Sequence, residues 1–354
     1  MKMMLMRMVA VVLLFLLSGC WDNKDINHRS LPIAMGVSYN QGSYTIYLDI
    51  PSVTEDEEKI QIISDHGDSI NEVIDHISMN MESQVDLLHL KVILVDKAFA
   101  KHGLSEGIAS IIRSRYIAPK TMFVICDEPL DHFFQHIDAS STDDGTAIYD
   151  YFQKNAGWSP DIAYTPTWRI FRSIHSYTND VVIPMIKSGD STVIKSTGSA
   201  IMKNGKMVGK LTNEETLLYN VFNGVNTQGK IEVMGHATVQ IVSSRIGNRS
   251  SLEQDQPRLR STVHLKITVM DTRGNPSMVL IKKELQELVT REFMLLFQKV
   301  QKAGADVFGL GQHFRDDLTR PQLARWRTDY LPNMKVDLHV KTIVRNTGNL
   351  KARK

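Results

Sequence analysis

Residues 88–95, Leu-His-Leu-Lys-Val-Ile-Leu-Val, and residues 121–126, Thr-Met-Phe-Val-Ile-Cys, are two short and mostly apolar runs. Apolar runs of this length, rich in branched side chains and with little alternation, are typical of strands buried on both faces of a sheet. The interval between them contains a stretch with helical spacing, Leu104 to Arg113. The segment therefore predicts two central strands and a helix of an α/β domain.

The residues upstream extend the same pattern. Ile33 to Tyr39 and Tyr44 to Ile50 predict two strands joined by the turn Asn40 to Ser43. Ser69 to Met81 predicts a helix, with Asp68 as its N-cap. The order is β-β-α-β-α-β, and the fold class expected is α/β (α+β mixed), with mixed sheets and packed helices in several domains.

A length of 354 residues predicts two or three domains. Ser188 to Ser191 is the first convincing linker, and the chain alternates apolar and polar residues from Ile231 onward. Gly247 to Arg258 is expected to be a polar loop, and Pro276 to Lys302 the longest helix. The expected division is a signal peptide (1–19), an N-terminal α/β domain (20–190), a small middle domain of a hairpin and a helix (191–230), and a C-terminal α+β domain (231–354).

Composition excludes several classes of protein. Hydrophobic residues make up 42% and charged residues 23%, which is typical of a globular chain. The sequence has 41 basic and 39 acidic residues, and removal of residues 1–19 leaves 39 of each. A chain with no net charge is a poor candidate for nucleic-acid binding, and it lacks the polybasic excess that attracts anionic lipid.

The sequence carries no recognisable catalytic or metal motif, so we expect a protein that is not an enzyme and has no cofactor. Two cysteines, Cys20 and Cys126, are too few for a disulfide framework or a four-cysteine zinc site. Neither G-x-S-x-G nor H-E-x-x-H occurs. Cys126 ends an apolar run, where a cysteine usually serves as a small buried hydrophobe. Asp143-Asp144-Gly145 is better explained as the start of a helix than as a calcium loop.

The first twenty residues predict export and lipidation. Lys2 and Arg7 precede ten apolar residues, Met8 to Leu17, which suits a signal peptide but is too short to span a membrane. Leu17-Ser18-Gly19-Cys20 resembles the bacterial lipobox, which implies cleavage between Gly19 and Cys20 and a diacylglycerol on Cys20. A plain secretory signal and an uncleaved anchor remain the alternatives. Two acyl chains give stable attachment to a bilayer, whereas one chain does not.

Four further stretches carry a family resemblance, and together they extend over the whole chain. They are Cys20-Trp21-Asp22, the segment from Thr197 to Glu215, the segment from Lys302 to Gly311, and the C-terminal stretch containing Trp326 and Pro332 to Val336. Their combination resembles the Ger(x)C family, the C subunits of spore germinant receptors. Asn23, Lys24 and Asp25 depart from the family's usual residues after Trp-Asp, at a tether position.

The resemblance implies a lipoprotein on the outer face of the cytoplasmic (inner spore) membrane, with three domains and no catalytic residue. It implies assembly with integral membrane A-type and B-type subunits into a receptor that responds to a nutrient germinant. The main alternative is a solute-binding lipoprotein of a transporter, which would have two parallel-sheet lobes around a cleft. A secreted hydrolase is a third possibility. The alternating C-terminal half argues against the transporter class.

Overall fold

The computed structural model describes residues 28–53, 58–114, 116–140, 147–153, 159–225, 230–233 and 235–346. The predicted signal peptide, the cleavage site at Gly19 and the lipidation site at Cys20 lie outside these ranges. The pair Asp143 and Asp144 also lies outside them.

The strands of the N-terminal half are β1 (Arg29–Ser30), β2 (Ala34–Asn40), β3 (Ser43–Val53), β4 (Glu58–Gly67), β5 (Gln84–Val85), β6 (Val92–Asp96), β7 (Met122–Cys126), β8 (Val182–Ser188), β9 (Ile194–Lys203) and β10 (Lys206–Leu211). Its helices are α1 (Ile70–Asn80), α2 (Lys97–His102), α3 (Ser105–Arg113), α4 (Leu130–Ser140), α5 (Ala147–Gln153) and α6 (Thr167–Ile174).

The C-terminal half contains α7 (Asn213–Phe222), β11 (Lys230–Val233), β12 (Ala237–Glu253), β13 (Gln256–Thr272), α8 (Met278–Ala303), α9 (Arg320–Ala324) and β14 (Lys335–Asn346). Short 3-10 turns at Leu310–Phe314 and Leu331–Asn333 and a π-helical turn at Trp326–Tyr330 connect α8 to β14.

An eight-stranded mixed sheet organises the first half, in the order β10-β9-β8-β7-β6-β2-β3-β4. Its centre is parallel, with β2, β6, β7 and β8 side by side, and both ends are antiparallel. Apolar side chains bury both faces of β6 and β7 between two layers of helices. The predicted fold class and the two central strands are confirmed.

Several boundaries differ from the predictions. Leu87–His89 is a 3-10 turn, so the strand predicted from Leu88 begins at Val92. Ser69 caps α1 in place of the predicted Asp68, and its hydroxyl accepts the amide of Glu72. Strand β4 was not predicted at all. Its lack of strict alternation between apolar and polar residues explains the omission.

The hairpin predicted for a middle domain belongs to the eight-stranded sheet. Strand β9 pairs with β8 along its length, because Ser188–Ser191 opens a tight turn and not a long linker. Gly198 permits this path, since it has a φ of 106° and a Cβ there would lie 2.0 Å from the Leu211 carbonyl oxygen. Helix α7 then packs on the C-terminal core. Residues 191–230 therefore connect the two halves and do not form a separate layer.

The second sheet has the order β11-β12-β13-β14, with β14 parallel to β13. Helix α8 covers one face of the sheet through Ile281, Leu285, Val289 and Phe293. It begins at Met278, two residues after the predicted start at Pro276, and ends at Ala303, where Gly304 caps it. No helix among the described residues is long and apolar enough to cross a membrane.

The predicted polar loop Gly247 to Arg258 is wrong. Strands β12 and β13 continue to Glu253 and Gln256 and are joined by a two-residue turn at Gln254 and Asp255. The outward positions of this stretch hold polar residues or glycine, and its inward positions on β12 include the polar residues Asn248 and Ser250. Polar composition therefore concealed the strand period of two.

Candidate functional site

A buried ion pair joins the two halves of the chain. Asp180 precedes β8, and Arg327 lies in the π-helical turn. The Arg327 Nε donates to Asp180 Oδ2, and its Nη2 donates to Asp180 Oδ1, each at 2.8 Å. The side chains are 8% and 1% exposed. Removal of one partner from such a pair leaves an uncompensated buried charge, so the contact holds the halves in a fixed arrangement.

Asp306 extends this cluster from the loop after α8. The backbone amides of Asp180 and Asp306 bind each half to the other: Asp180 N–H donates to the Asp306 carbonyl oxygen, and Asp306 N–H donates to Asp180 Oδ2. The Asp306 carboxylate accepts the amides of Leu310 and Gly311 and the indole N–H of Trp326, at 2.8 to 2.9 Å. Burial raises the pKa of Asp306 to about 7, and these donors oppose the rise.

The indole of Trp326 fills the centre of the junction. It is fully buried and stacks between Phe314 and Tyr330, with ring centroids 5.4 and 6.1 Å apart. A Cβ at Gly311 would lie 2.6 Å from Trp326 Cε2, so only glycine allows the approach. The junction is thus an aromatic core with a buried polar cluster on one side, which stabilises a single orientation of the halves.

A groove of about 1400 Å³ opens beside this cluster, and both halves line it. Phe171, Arg172 and His175 contribute from α6 and the residue after it, and Arg315 and Arg320 contribute from the other half. The Arg172 guanidinium lies 5.1 Å from the centroid of the exposed Trp168 ring. The groove is open and partly cationic, and it could receive an anionic or aromatic group between the halves.

The cysteine considered in the sequence analysis lies in the core and not in a site. Cys126 is buried in β7, and burial raises the pKa of its thiol to about 12, so a thiolate nucleophile is disfavoured at neutral pH. Among the described residues, no group of three His, Cys, Asp or Glu side chains is placed to hold a metal ion.

The sequence did not reveal the junction residues. Asp180 and Arg327 are 147 positions apart, and each is an isolated charge in its own stretch. One signal was present, because the segment Lys302 to Gly311 and Trp326, quoted above for the family resemblance, contains the Asp306 side of the cluster. The predicted site residues Gly19 and Cys20 remain predictions.

Comparison with known proteins finds spore germination domains over almost the whole chain. A spore germination protein N-terminal domain matches residues 22–188. A spore germination B3/GerAC-like C-terminal domain matches residues 197–348. Spore germination protein KC of Bacillus subtilis (strain 168) is 20% identical to this chain over an alignment 404 positions long. The alignment covers 97% of this chain and 96% of that protein.

The crystal structure of the GerBC protein has a similar fold. The TM-score is 0.57 at 16% sequence identity, and the match covers 87% of this chain and 96% of that chain. At this identity the likeness shows a shared fold. Together with the two adjoining domain matches, it confirms the resemblance found in the sequence: the chain belongs to the Ger(x)C family of spore germination proteins.

Proposed function

We propose that the chain is the lipid-anchored C subunit of a nutrient germinant receptor and acts by binding, not by catalysis. The observation that carries the proposal is the succession of two spore germination domains over residues 22–188 and 197–348. Integral membrane A-type and B-type subunits are its partners, and spore germination after exposure to a nutrient is the outcome.

The anchor in this proposal is a diacylglycerol on Cys20. Only seven residues, and so eight Cα–Cα steps, separate Cys20 from His28, where the described fold begins. A stretch of that length spans at most about 28 Å, so the folded body stays close to the bilayer on the outer face of the membrane. Two acyl chains provide stable attachment without a membrane-spanning helix.

The junction suits a subunit that transmits or maintains a geometry. A body whose halves are connected by a buried ion pair and a tryptophan core moves as one unit unless that cluster is broken. In a receptor, such a body serves as a scaffold or as a relay between membrane partners. A relay additionally requires two arrangements whose balance the nutrient changes.

Co-purification from dormant-spore membranes tests the assembly. We expect a C-terminally tagged chain, solubilised in mild detergent, to bring down an A-type and a B-type subunit. The Cys20→Ala variant is the matched control and should leave the membrane fraction and lose both partners. Recovery of the wild-type chain from membranes without any such subunit would contradict the assembly.

The groove at the junction favours a second candidate function, that of a solute-binding lipoprotein. Its position between two halves is where a binding protein would hold a small molecule. The halves are unlike, however, since one sheet has a parallel centre and the other is mainly antiparallel. Calorimetry on the purified chain with amino acids and sugars separates the two. Tight binding by the chain alone would favour the solute-binding function.

A further inference from the structure

One face of the C-terminal sheet is exposed and carries mostly basic side chains. Helix α8 covers the inner face, so the outward positions of β12, β13 and β14 point to solvent. From the turn at Gln254 to Lys266, these positions hold seven Lys or Arg side chains and two His side chains, all exposed. We call them the basic face: Arg245, Arg249, Arg258, Arg260, His264, Lys266, Lys335, His339 and Lys341.

Few carboxylates balance these charges. Glu253 pairs with Arg258 and Asp337 pairs with Arg260, each at 3.2 Å. In the described part of the chain, no ion pair is made by the other five Lys and Arg side chains of the face: Arg245, Arg249, Lys266, Lys335 and Lys341. A solvated sheet face ordinarily mixes both signs.

The strand register brings like charges together. Arg249 lies directly opposite Arg260, and Arg258 lies directly opposite Lys335. Like charges at directly opposed positions are destabilising, by up to about 1 kcal/mol per pair. A face that only had to be soluble would avoid these pairs, so their presence indicates a function other than stability.

The whole chain shows the same separation of charge. Residues 20–211, which include every strand of the first sheet, contain 25 acidic and 17 basic residues, whereas residues 212–354 contain 14 acidic and 22 basic residues. The net charges are therefore −8 and +8. The net charge of zero, from which we expected no attraction to anionic lipid, conceals two oppositely charged halves.

We propose that the basic face docks on an anionic lipid leaflet. Each Lys or Arg near such a surface contributes about 1 kcal/mol of attraction. Repulsion of the acidic half is screened beyond roughly 10 Å at 0.1 M salt, so the half that touches the surface determines the outcome. The charge separation also turns the acidic half away from the membrane and gives the body one orientation.

The chemistry of the face favours a bilayer over an acidic protein. The cations extend over a strand length of about 27 Å, from position 258 to position 266, on three adjacent strands. At the centre of a protein interface, Trp, Tyr and Arg anchors usually fill well-packed pockets from which water is excluded, whereas the Arg side chains of this face lie on an exposed sheet surface. None of the outward positions that define the face is Trp, Tyr or Phe. Two exposed apolar residues lie at outward positions of this sheet, Ile343 (55% exposed, opposite Lys266) and Met270 (49% exposed), and both suit insertion among headgroups.

Vesicle sedimentation tests this docking with the unlipidated chain from residue 21, which retains every described element. We expect binding to vesicles containing 30% phosphatidylglycerol, no binding to pure phosphatidylcholine, and release in 0.5 M salt. The triple variant Arg249→Glu, Lys266→Glu, Lys341→Glu should bind on the order of 100-fold more weakly. Its thermal stability should be equal or higher, because Arg249→Glu places a carboxylate opposite Arg260.

A second triple variant controls for net charge. Lys283→Glu, Arg291→Glu and Arg325→Glu make the same charge change at exposed positions outside the basic face. This variant should keep most of the vesicle binding. Absence of binding between the wild-type protein and anionic vesicles at low salt would overturn the proposal. Equal losses of vesicle binding in the two triple variants would also overturn it. The assay needs neither lipidation nor receptor partners, so its failure is distinct from failure of the proposed function.

Discussion

At the scale of single residues, the main determinants are buried charges that come from distant parts of the sequence. Asp180 accepts the Arg327 guanidinium and also the amides of Asn204 and Asp306. A helix cap, by contrast, depends on neighbouring residues, and the sequence predicted the N-cap of α1 to within one position. The junction could not be predicted in the same way, because a single sequence gives no sign of which isolated Asp meets which isolated Arg.

Loss of the junction cation should be costly. We expect Arg327→Met to lower the free energy of unfolding by about 3–5 kcal/mol, because it leaves the Asp180 carboxylate buried without a countercharge. Urea unfolding at pH 7 measures the change. Arg325→Met is the control, since its ion pair with Asp329 is largely exposed and contributes about 0–1 kcal/mol. Equal effects of the two substitutions would contradict the assigned role.

A second buried carboxyl should make stability depend on pH. Asp49 lies in β3, and its Oδ1 has no hydrogen-bond partner among the described residues. Burial raises the pKa of Asp49 from 3.8 to about 7. The protonated, neutral form of the Asp49 carboxyl is therefore favoured on folding. The contribution of Asp49 to the free energy of unfolding is fully present below pH 4 and is lost as pH rises through 7.

The Asp49→Asn substitution removes this titration. We expect the variant to gain up to about 4 kcal/mol over wild type at pH 8, and to lose that advantage toward pH 4. Urea unfolding at several pH values measures the difference. Asp75→Asn, at an exposed position on α1, should change nothing. An Asp49→Asn variant whose difference from wild type does not vary with pH would refute the assignment.

At the scale of elements, patterns with strong apolar content were predicted well and polar strands were not. The central strands and α8 follow from apolar runs and from helical spacing over 26 residues. The ends of β12 and β13 were missed because their outward residues are polar and charged. The position of the β9–β10 hairpin was missed because sequence spacing does not show which sheet a hairpin joins.

The hairpin depends on one glycine. Gly198→Ala should destabilise the protein by more than about 2 kcal/mol, because the residue has a positive φ and its new Cβ would overlap the Leu211 carbonyl oxygen. Thermal unfolding measures the loss. Gly247→Ala is the matched control, since a Cβ there meets no atom within 4 Å. A Gly198→Ala protein as stable as the control would show that the hairpin path is wrong.

At the scale of the whole molecule, two unlike sheets of opposite charge form one body through a buried junction. The fold class could be predicted from the sequence because it follows from the order of the strands and helices, whereas the linker predicted near residue 190 is a turn inside the first sheet. The separation of charge can also be counted from the sequence, but only when the two parts of the chain are counted separately, because their net charges cancel. Membership of the Ger(x)C family connects this body to spore germination. The proposed anchor and basic face would place it at the membrane.

Nutrient germination of spores lacking this chain would show whether the chain is a subunit of a germinant receptor. Dipicolinate release would be followed nutrient by nutrient, with spores carrying the restored wild-type gene as the control. We expect loss of the response to one class of nutrient while the other responses remain, and recovery when the gene is restored. An unchanged response to every nutrient, in spores that carry no other receptor of this family, would show that the chain is not a receptor subunit.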